Sequence, residues 1–163
     1  MSNKLIVGNQ FPKFNLITNT DSEIDENSLL NKKTVVFIYP KNDTGGCTKE
    51  CVEFSNLASH FENLNISIYG ISKDTVKSHK KFITKHDLKL NLISDPEVTL
   101  ITDLGSWVKK SMYGKEYMGI ERTTFILDKK NKITHIWNKV RVKGHAEDVL
   151  KACKTDIKED NKI

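Results

Sequence analysis

Three cysteines carry the most reactive side chains in this 163-residue sequence, and two of them, Cys47 and Cys51, lie close together. Cys153 stands apart, near the end of the chain. A thiolate is a nucleophile and also a ligand for soft metal ions, so the close pair indicates thiol chemistry or metal binding. The first twenty residues contain no apolar run of the kind that a signal peptide requires. We therefore expect a cytoplasmic protein, in which structural disulfides are rare.

The sequence predicts that Cys47 lies where a buried strand passes into a helix. Residues 34–39 form a continuous apolar run, which is typical of a central strand covered on both faces, and Pro40 ends it. Within residues 47–63, apolar side chains recur on one helical face and predict a long amphipathic helix. In the first turn of that helix, free backbone N–H groups and the positive end of the helix dipole favour a thiolate at Cys47.

The loop before Cys47 contains a hydroxyl group and two glycines. Thr44 can place its hydroxyl beside the sulfur, while Gly45 and Gly46 let the backbone approach a small substrate closely. The alternative is an inert, buried cysteine that follows an ordinary turn and helix cap. The loop composition favours the reactive cysteine.

Strand-like and helix-like segments alternate along the remaining chain, which predicts an α/β fold with a mixed central β-sheet and helices on both faces. We expect a single domain over residues 1–154 and a polar, frayed tail over residues 155–163. The predicted strands cover residues 66–71, 90–94, 123–128 and 133–138, and the predicted helices cover residues 75–86, 96–104 and 145–154.

The composition argues against several other classes of protein. The net charge is only +5, and the lysines are interleaved with acidic residues, so we interpret them as a solvated surface rather than a nucleic-acid interface. The longest apolar stretch, residues 35–39, is far shorter than the roughly 20 residues that span a bilayer. We expect no membrane and no nucleic acid among the partners, and we expect all five histidines to lie at the surface.

Two motifs resemble a known family. One is the spacing Pro40-x-x-x-Thr44-x-x-Cys47, and the other is the block KSMYGKEYMGIERTTF over residues 110–125, which includes Arg122. Together they resemble the peroxiredoxins, which are thiol peroxidases, and specifically the Q-type or bacterioferritin comigratory protein branch. The similarity extends from Gly8 to Cys153.

The resemblance implies a thioredoxin-like fold and an antioxidant enzyme that reduces hydrogen peroxide and organic hydroperoxides. Cys47 would be the peroxidatic nucleophile that becomes a sulfenic acid, with Arg122 and Thr44 as its catalytic partners. Pro40 would shield the sulfur, and Gly46 would line the substrate site. The family implies no metal, haem or flavin, and recycling by thioredoxin in preference to glutaredoxin or glutathione. A monomer and a weak homodimer both remain open.

The sequence departs from the family at two positions near Cys47. Gly45 stands where the family usually has proline, which removes a restriction on the loop backbone. Many relatives place a resolving cysteine five residues after the peroxidatic one, but that position is Val52 here, and the nearby thiol is Cys51. Side chains four apart on a helix have Cβ atoms about 5–6 Å apart, whereas a disulfide needs about 3.5–4.5 Å. A Cys47–Cys51 disulfide would thus require the first turn to unwind.

Other roles for these residues remain open at this stage. Cys51 can equally be a small apolar side chain in the core, and Cys153 or an external thiol can resolve the sulfenic acid instead. Glu50 either contacts Arg122 or is a surface carboxylate. The alternative function is a thioredoxin-fold copper-binding chaperone that uses Cys47 and Cys51, with His135 as a further ligand. A cation at position 122 disfavours this alternative because it would repel Cu(I).

Overall fold

A seven-stranded mixed sheet forms the centre of the computed structural model, which describes residues 4–160. Its strands are β1 (Asn15–Thr18), β2 (Glu23–Asp25), β3 (Lys33–Ile38), β4 (Ile66–Ser72), β5 (Asn91–Ser94), β8 (Thr123–Leu127) and β9 (Ile133–Trp137), with β6 (Trp107–Met112) and β7 (Lys115–Ile120) in a separate two-stranded sheet. The strands of the large sheet follow the order β2-β1-β5-β4-β3-β8-β9. The helices are α1 (Gly45–Asn56), α2 (Ala58–Asn63), α3 (Val76–His86), α4 (Thr99–Asp103) and α5 (His145–Asp160), and a 3-10 turn covers Glu26–Leu29.

The central strand β3 determines where the chain after it emerges. It pairs in parallel with β4 and antiparallel with β8. Its apolar side chains alternate between two cores, because successive residues of a strand face opposite sides of a sheet. Phe37 belongs to the core that α1, α2, α3 and α5 cover, and Ile38 belongs to the core that α4 covers. The α/β prediction with a mixed sheet between helices is therefore confirmed.

Packing against Phe37 holds α1 in place. The ring of Phe54 stacks on Phe37 with a centroid separation of 4.4 Å, and Phe61 of α2 lies 6.3 Å from Phe54. Burying side chains of this size stabilises the folded state by about 1.5–3 kcal/mol each. The first turn of α1 thus rests on a well-packed second and third turn.

The predicted helix over residues 47–63 is two helices with a break at Leu57. The N–H group of Leu57 is shared between the carbonyl groups of Glu53 (3.3 Å) and Phe54 (3.1 Å), as in a tightened helix end. The predicted helix over residues 96–104 is shorter, because Val98 has a φ of 52° and α4 begins only after it.

The last helix runs past the predicted domain boundary at residue 154. It continues to Asp160, and Ile157 packs against the core on that face of the sheet. This apolar contact stabilises the polar C-terminal end of the helix. The rest of the predicted tail, residues 161–163, lies outside the described residues.

Sequence patterns did not predict the short strands β1 and β2 at one side of the sheet or the β6–β7 hairpin. β1 and β2 are only 4 and 3 residues long, too short for a periodicity signal. The hairpin turns at Tyr113 and Gly114, whose φ values of 53° and 79° match the paired positive φ values of a type I′ turn. Among residues 4–160, no helix has both the length and the apolar character that a membrane span requires.

Candidate active site

Cys47 lies in the first turn of α1, at the end of the loop that follows β3. Thr44 has an extended backbone (φ −99°, ψ 155°), and its carbonyl group accepts the first intrahelical bond from the N–H of Thr48 at 2.8 Å. Helix geometry therefore leaves the N–H groups of Gly45, Gly46 and Cys47 without intrahelical acceptors. These groups place the positive end of the helix dipole at the sulfur, although the Cys47 side chain itself is buried.

The pairing of β3 with β8 brings Arg122 to Cys47 from 75 residues away. Ile38, the last residue of β3, pairs with Thr123, the first residue of β8. Arg122 therefore lies at the same edge of the sheet as the loop that follows β3. Its Nη2 atom donates to the Cys47 Sγ atom at 3.1 Å, so a permanent positive charge adjoins the sulfur.

Glu50 completes a contact chain of thiol, guanidinium and carboxyl groups. Arg122 Nη1 donates to Glu50 Oε1 at 2.9 Å. Glu50 therefore contacts Arg122 and is not a surface carboxylate, which were the two alternatives left open by the sequence. The Glu50 side chain is only 1% exposed, and burial raises its pKa to about 7 against the opposing effect of Arg122. The nearby Glu53 carboxylate raises the pKa further. Within the described residues, Glu50 Oε2 has no hydrogen-bond partner.

Gly46 allows the guanidinium group to come this close. A Cβ atom on Gly46 would lie 2.9 Å from Arg122 Nη2, whereas one on Gly45 would meet no atom within 4 Å. Real Cβ atoms essentially never approach a neighbour within 3.0 Å. The group that lies close to the Gly46 backbone in this structure is therefore the Arg122 guanidinium, where the sequence predicted a substrate.

Thr44 and Pro40 both belong to the loop between β3 and α1. The Thr44 hydroxyl donates to the Lys41 carbonyl at 3.0 Å and caps no N–H group of α1. Pro40 is half-buried and lies in the wall of an open cavity of about 510 Å³. The cavity is lined by Pro40, Val108, Lys109, Lys110, Ile120, Glu121, Arg122, Lys139 and Val140. The Arg122 side chain is 20% exposed, so a small molecule in this cavity would contact its guanidinium group.

The other two cysteines are buried and free. Cys51 lies one turn after Cys47, in the core beside Phe54. Burial raises the pKa of the Cys51 thiol well above its usual value, and burial raises that of Cys153 on α5 to about 12. Both thiols are therefore protonated at neutral pH while the helices are intact.

The expectation that all five histidines lie at the surface was wrong for His79 and His145. His79 hydrogen-bonds the Ile93 carbonyl at 3.1 Å, and burial lowers its pKa. His145 lies 2.8 Å from the Thr124 hydroxyl, and burial lowers its pKa to about 4. Burial in both cases follows from tertiary contacts that helical periodicity does not reveal.

His135, the candidate copper ligand, has other partners. Its ring stacks on Trp137, and its Nδ1 atom lies 3.5 Å from an Asp156 carboxylate oxygen. At the cysteine itself, the neighbouring group is the Arg122 guanidinium, which would repel Cu(I). Over residues 4–160, no group of three or more His, Cys, Asp or Glu side chains is arranged to hold a metal ion.

A cysteine at a helix N-terminus, with an arginine donating a hydrogen bond to its sulfur at the end of a central strand, is an arrangement suited to a cysteine-based thiol peroxidase. The chain belongs to the AhpC/TSA family, whose model matches residues 7–136. It is 40% identical over 144 residues to a putative peroxiredoxin Bcp from Coxiella burnetii, covering 88% of this chain and 95% of that protein. It is 36% identical over 148 residues to peroxiredoxin Bcp from Bacillus subtilis, covering 91% and 94% of the two chains.

Solved structures agree with this assignment. A PrxQ mutant from Xylella fastidiosa superposes with a TM-score of 0.90 at 31% identity, covering 95% of this chain and 99% of that one. Peroxiredoxin Q from Xanthomonas campestris gives a TM-score of 0.84 at 35% identity, covering 87% and 90%. These similarities confirm the thioredoxin-like fold and the Q-type branch of the peroxiredoxins.

Proposed function

We propose that Cys47 is the peroxidatic nucleophile of this enzyme, with Arg122 and Thr44 as its catalytic partners. The observation that carries the proposal is the 3.1 Å contact between Arg122 Nη2 and Cys47 Sγ at the N-terminus of α1. A fixed positive charge and the free N–H groups of a first helical turn both stabilise a thiolate, which is the nucleophilic form of cysteine.

In the first step the Cys47 thiolate attacks one oxygen of the hydroperoxide, and the O–O bond breaks. The sulfur becomes a sulfenic acid, and the departing oxygen takes up a proton to leave as water or an alcohol. Negative charge develops on the departing oxygen, where the Arg122 guanidinium can stabilise it. The Cys47 N–H is a further donor to the peroxide, and the Thr44 hydroxyl becomes one when it rotates away from the Lys41 carbonyl. Pro40 shields the sulfur, and Gly46 lies against the substrate.

The substrates we propose are hydrogen peroxide and small organic hydroperoxides. The cavity at Arg122 is open, and Val108 and Val140 give it an apolar wall that can receive an alkyl group. Among the related structures is a bacterioferritin comigratory protein from Xanthomonas campestris, described for its alkyl peroxide reduction activity, at 32% identity and a TM-score of 0.86.

We further propose that Cys51 resolves the sulfenic acid. The Cys51 thiol would lose its proton and attack the Cys47 sulfur; the S–S bond forms, the S–O bond breaks, and the departing hydroxide takes up a proton to leave as water. Both residues are buried in the same helix, so the first turn of α1 must unwind before the sulfurs can meet. A dithiol protein of the thioredoxin class then supplies two electrons and restores both thiols. Free thiols at all three cysteines are compatible with the reducing interior of a cell, which is the location we propose.

The experiment compares Cys47→Ser, Cys51→Ser and Cys153→Ser. Cys47→Ser should abolish peroxide consumption, because serine does not form an alkoxide near neutral pH. Cys51→Ser should keep the first oxidation of Cys47 but slow turnover with thioredoxin, and at high peroxide it should accumulate sulfinic acid. Cys153→Ser is the matched control and should cycle normally.

Mass spectrometry after one equivalent of peroxide should identify a Cys47–Cys51 disulfide with Cys153 still available for alkylation. Full activity in Cys47→Ser would contradict the proposed nucleophile. A Cys47–Cys153 disulfide, or normal thioredoxin-supported cycling in Cys51→Ser, would show that Cys51 is only a core residue and that resolution takes another route.

A further inference from the structure

A second cleft lies beside the loop that leads to Cys47, on the side of α3. It has a volume of about 500 Å³ and is bounded by residues 41–43 on one side and by α3 on the other. Its lining is Lys41, Asn42, Asp43, Asp74, Thr75, Lys77, Ser78, Lys81, Phe82 and Lys85. The thiol chemistry proposed above uses none of these side chains.

Lysine side chains dominate the charge of this cleft. Lys77, Lys81 and Lys85 are exposed and follow one another at intervals of four along α3, so they form a stripe about 12 Å long on one side of the helix. Lys41 faces them from the loop. Lys85 is paired with Asp43 at 2.6 Å, but within residues 4–160 Lys41, Lys77 and Lys81 make no ion pair. The cleft therefore presents unneutralised positive charge next to the reactive segment.

The loop wall of the cleft is tied firmly to α3 by Asn42. Its backbone N–H donates to Asp74 Oδ2 at 2.8 Å, and its side-chain amide donates to Ser78 Oγ and His79 Nδ1, both at 3.0 Å. The Tyr39 hydroxyl donates to Asn42 Oδ1 at 2.6 Å. The cleft can thus keep its shape while the adjoining turn that holds Cys47 unwinds.

We propose that this cleft is the docking surface for the protein dithiol that reduces oxidised enzyme, and that the docking face of this reductant is acidic. The proposal rests on the function proposed above. Docked against residues 41–43, the reductant would lie beside the disulfide that it must reach. Opposite charge across the contact would raise the rate of productive encounter.

The layout of the lysines favours a protein over a compact anion such as a polyphosphate. The ammonium groups are spread along an exposed helix, and all four lysines of the cleft are solvent-exposed rather than buried around one point. The carboxylates of Asp43 and Asp74 also stand among them, which disfavours a dense negative charge in the middle of the cleft. An extended acidic surface can meet the lysines and avoid both carboxylates.

Reduction on this surface is a two-step thiol exchange. A thiolate of the reductant attacks one sulfur of the Cys47–Cys51 disulfide and releases the other as a thiolate, which gives a mixed disulfide. The second thiol of the reductant then displaces the remaining enzyme sulfur. The reductant is oxidised to its disulfide, and the enzyme gains two electrons and two protons.

The test is the double charge reversal Lys77→Glu/Lys81→Glu, with Lys129→Glu/Lys130→Glu as a control of equal charge change. The control residues are exposed and follow β8 at the opposite end of the sheet. Oxidation with diamide, which converts dithiols to disulfides directly, supplies oxidised protein whether or not peroxide does. Reduction is then followed with a bacterial thioredoxin and with dithiothreitol, at low and at high salt.

We expect Lys77→Glu/Lys81→Glu to lower kcat/KM for thioredoxin by about tenfold at low ionic strength, and the loss to shrink as salt rises. Reduction by dithiothreitol, oxidation by peroxide, and the control variant should be unchanged. An equal loss in the control, or no loss in the cleft variant, would overturn the docking proposal. So would tight binding of inorganic triphosphate that Lys77→Glu/Lys81→Glu abolishes while thioredoxin kinetics stay the same. Failure of peroxide alone to oxidise Cys47 would instead contradict the proposed function.

Discussion

Gly46 and Arg122 lie so close together that a side chain on the glycine would displace the guanidinium group. A Cβ atom at position 46 would lie 2.9 Å from Arg122 Nη2, the nitrogen that donates to Cys47 Sγ. The glycine is therefore a requirement of the arginine contact, independent of any substrate. Its neighbour Gly45 has open space at the corresponding position.

Gly46→Ala should push the guanidinium away from the sulfur and lower the rate at which peroxide oxidises Cys47 by about tenfold or more, since a donor at the reacting atoms contributes on the order of 10²–10³ in rate. Stopped-flow oxidation with hydrogen peroxide measures this rate. Gly45→Ala is the matched control, and its rate should stay within about twofold of the unaltered enzyme. Equal rates in the two variants would mean that the guanidinium can shift at no cost to the reaction.

Arg122→Lys should lower the second-order rate with peroxide while leaving the fold intact. Lysine keeps the positive charge but lacks the planar fork that contacts Cys47 and Glu50 with two separate nitrogens. We expect a decrease of about 10- to 100-fold, measured by single-turnover kinetics. Circular dichroism should be unchanged, and an unaltered rate would remove Arg122 from the catalytic site.

Glu50 should make the stability of the protein depend on pH in the range between its unfolded and folded pKa values. The folded pKa is about 7 and the ordinary value is 4.5, so between these pH values the native state holds a proton that the unfolded state has lost. The contribution of Glu50 to the free energy of unfolding is therefore fully present below pH 4.5. It decreases by about 3 kcal/mol as the pH rises from 4.5 through 7.

Glu50→Gln removes this titration and should flatten the dependence. Urea unfolding of both proteins from pH 4 to pH 8 measures the difference, in which the other titrating groups largely cancel. Parallel stability curves for the two proteins would show that Glu50 ionises in the native state as it does in water.

Gly45→Pro should stabilise the first turn of α1 and slow its unwinding. Position 45 is the first residue of the helix, where proline is well tolerated, and Thr44 already has the extended backbone that proline requires of the residue before it. A compatible proline stabilises by about 0.4–1 kcal/mol. We expect disulfide formation to slow by about two- to fivefold with peroxide oxidation of Cys47 unchanged. Unchanged disulfide formation would indicate that this turn need not open.

Local sequence patterns predicted much of the scaffold. The apolar run that became β3, the helix α3 and the β8–β9 hairpin were all expected, because each depends on hydrophobic periodicity or turn chemistry within a short stretch. The placement of Cys47 in a first helical turn belongs to the same group. The exact ends of helices were less well predicted, as the break at Leu57 shows.

The sequence by itself thus placed Cys47 at a strand-to-helix junction in an α/β protein, and the motif resemblance named Arg122 as its partner. Only the tertiary structure decided that Arg122 contacts both Cys47 and Glu50, because the β3–β8 register joins segments 75 residues apart. Burial likewise decided the raised pKa of Glu50. The lysine cleft also exists only where the residue 41–43 loop meets α3. These contacts, this burial and this cleft depend on which distant segments pack together and exclude water. The periodicity of one chain segment does not show which distant segments it will contact.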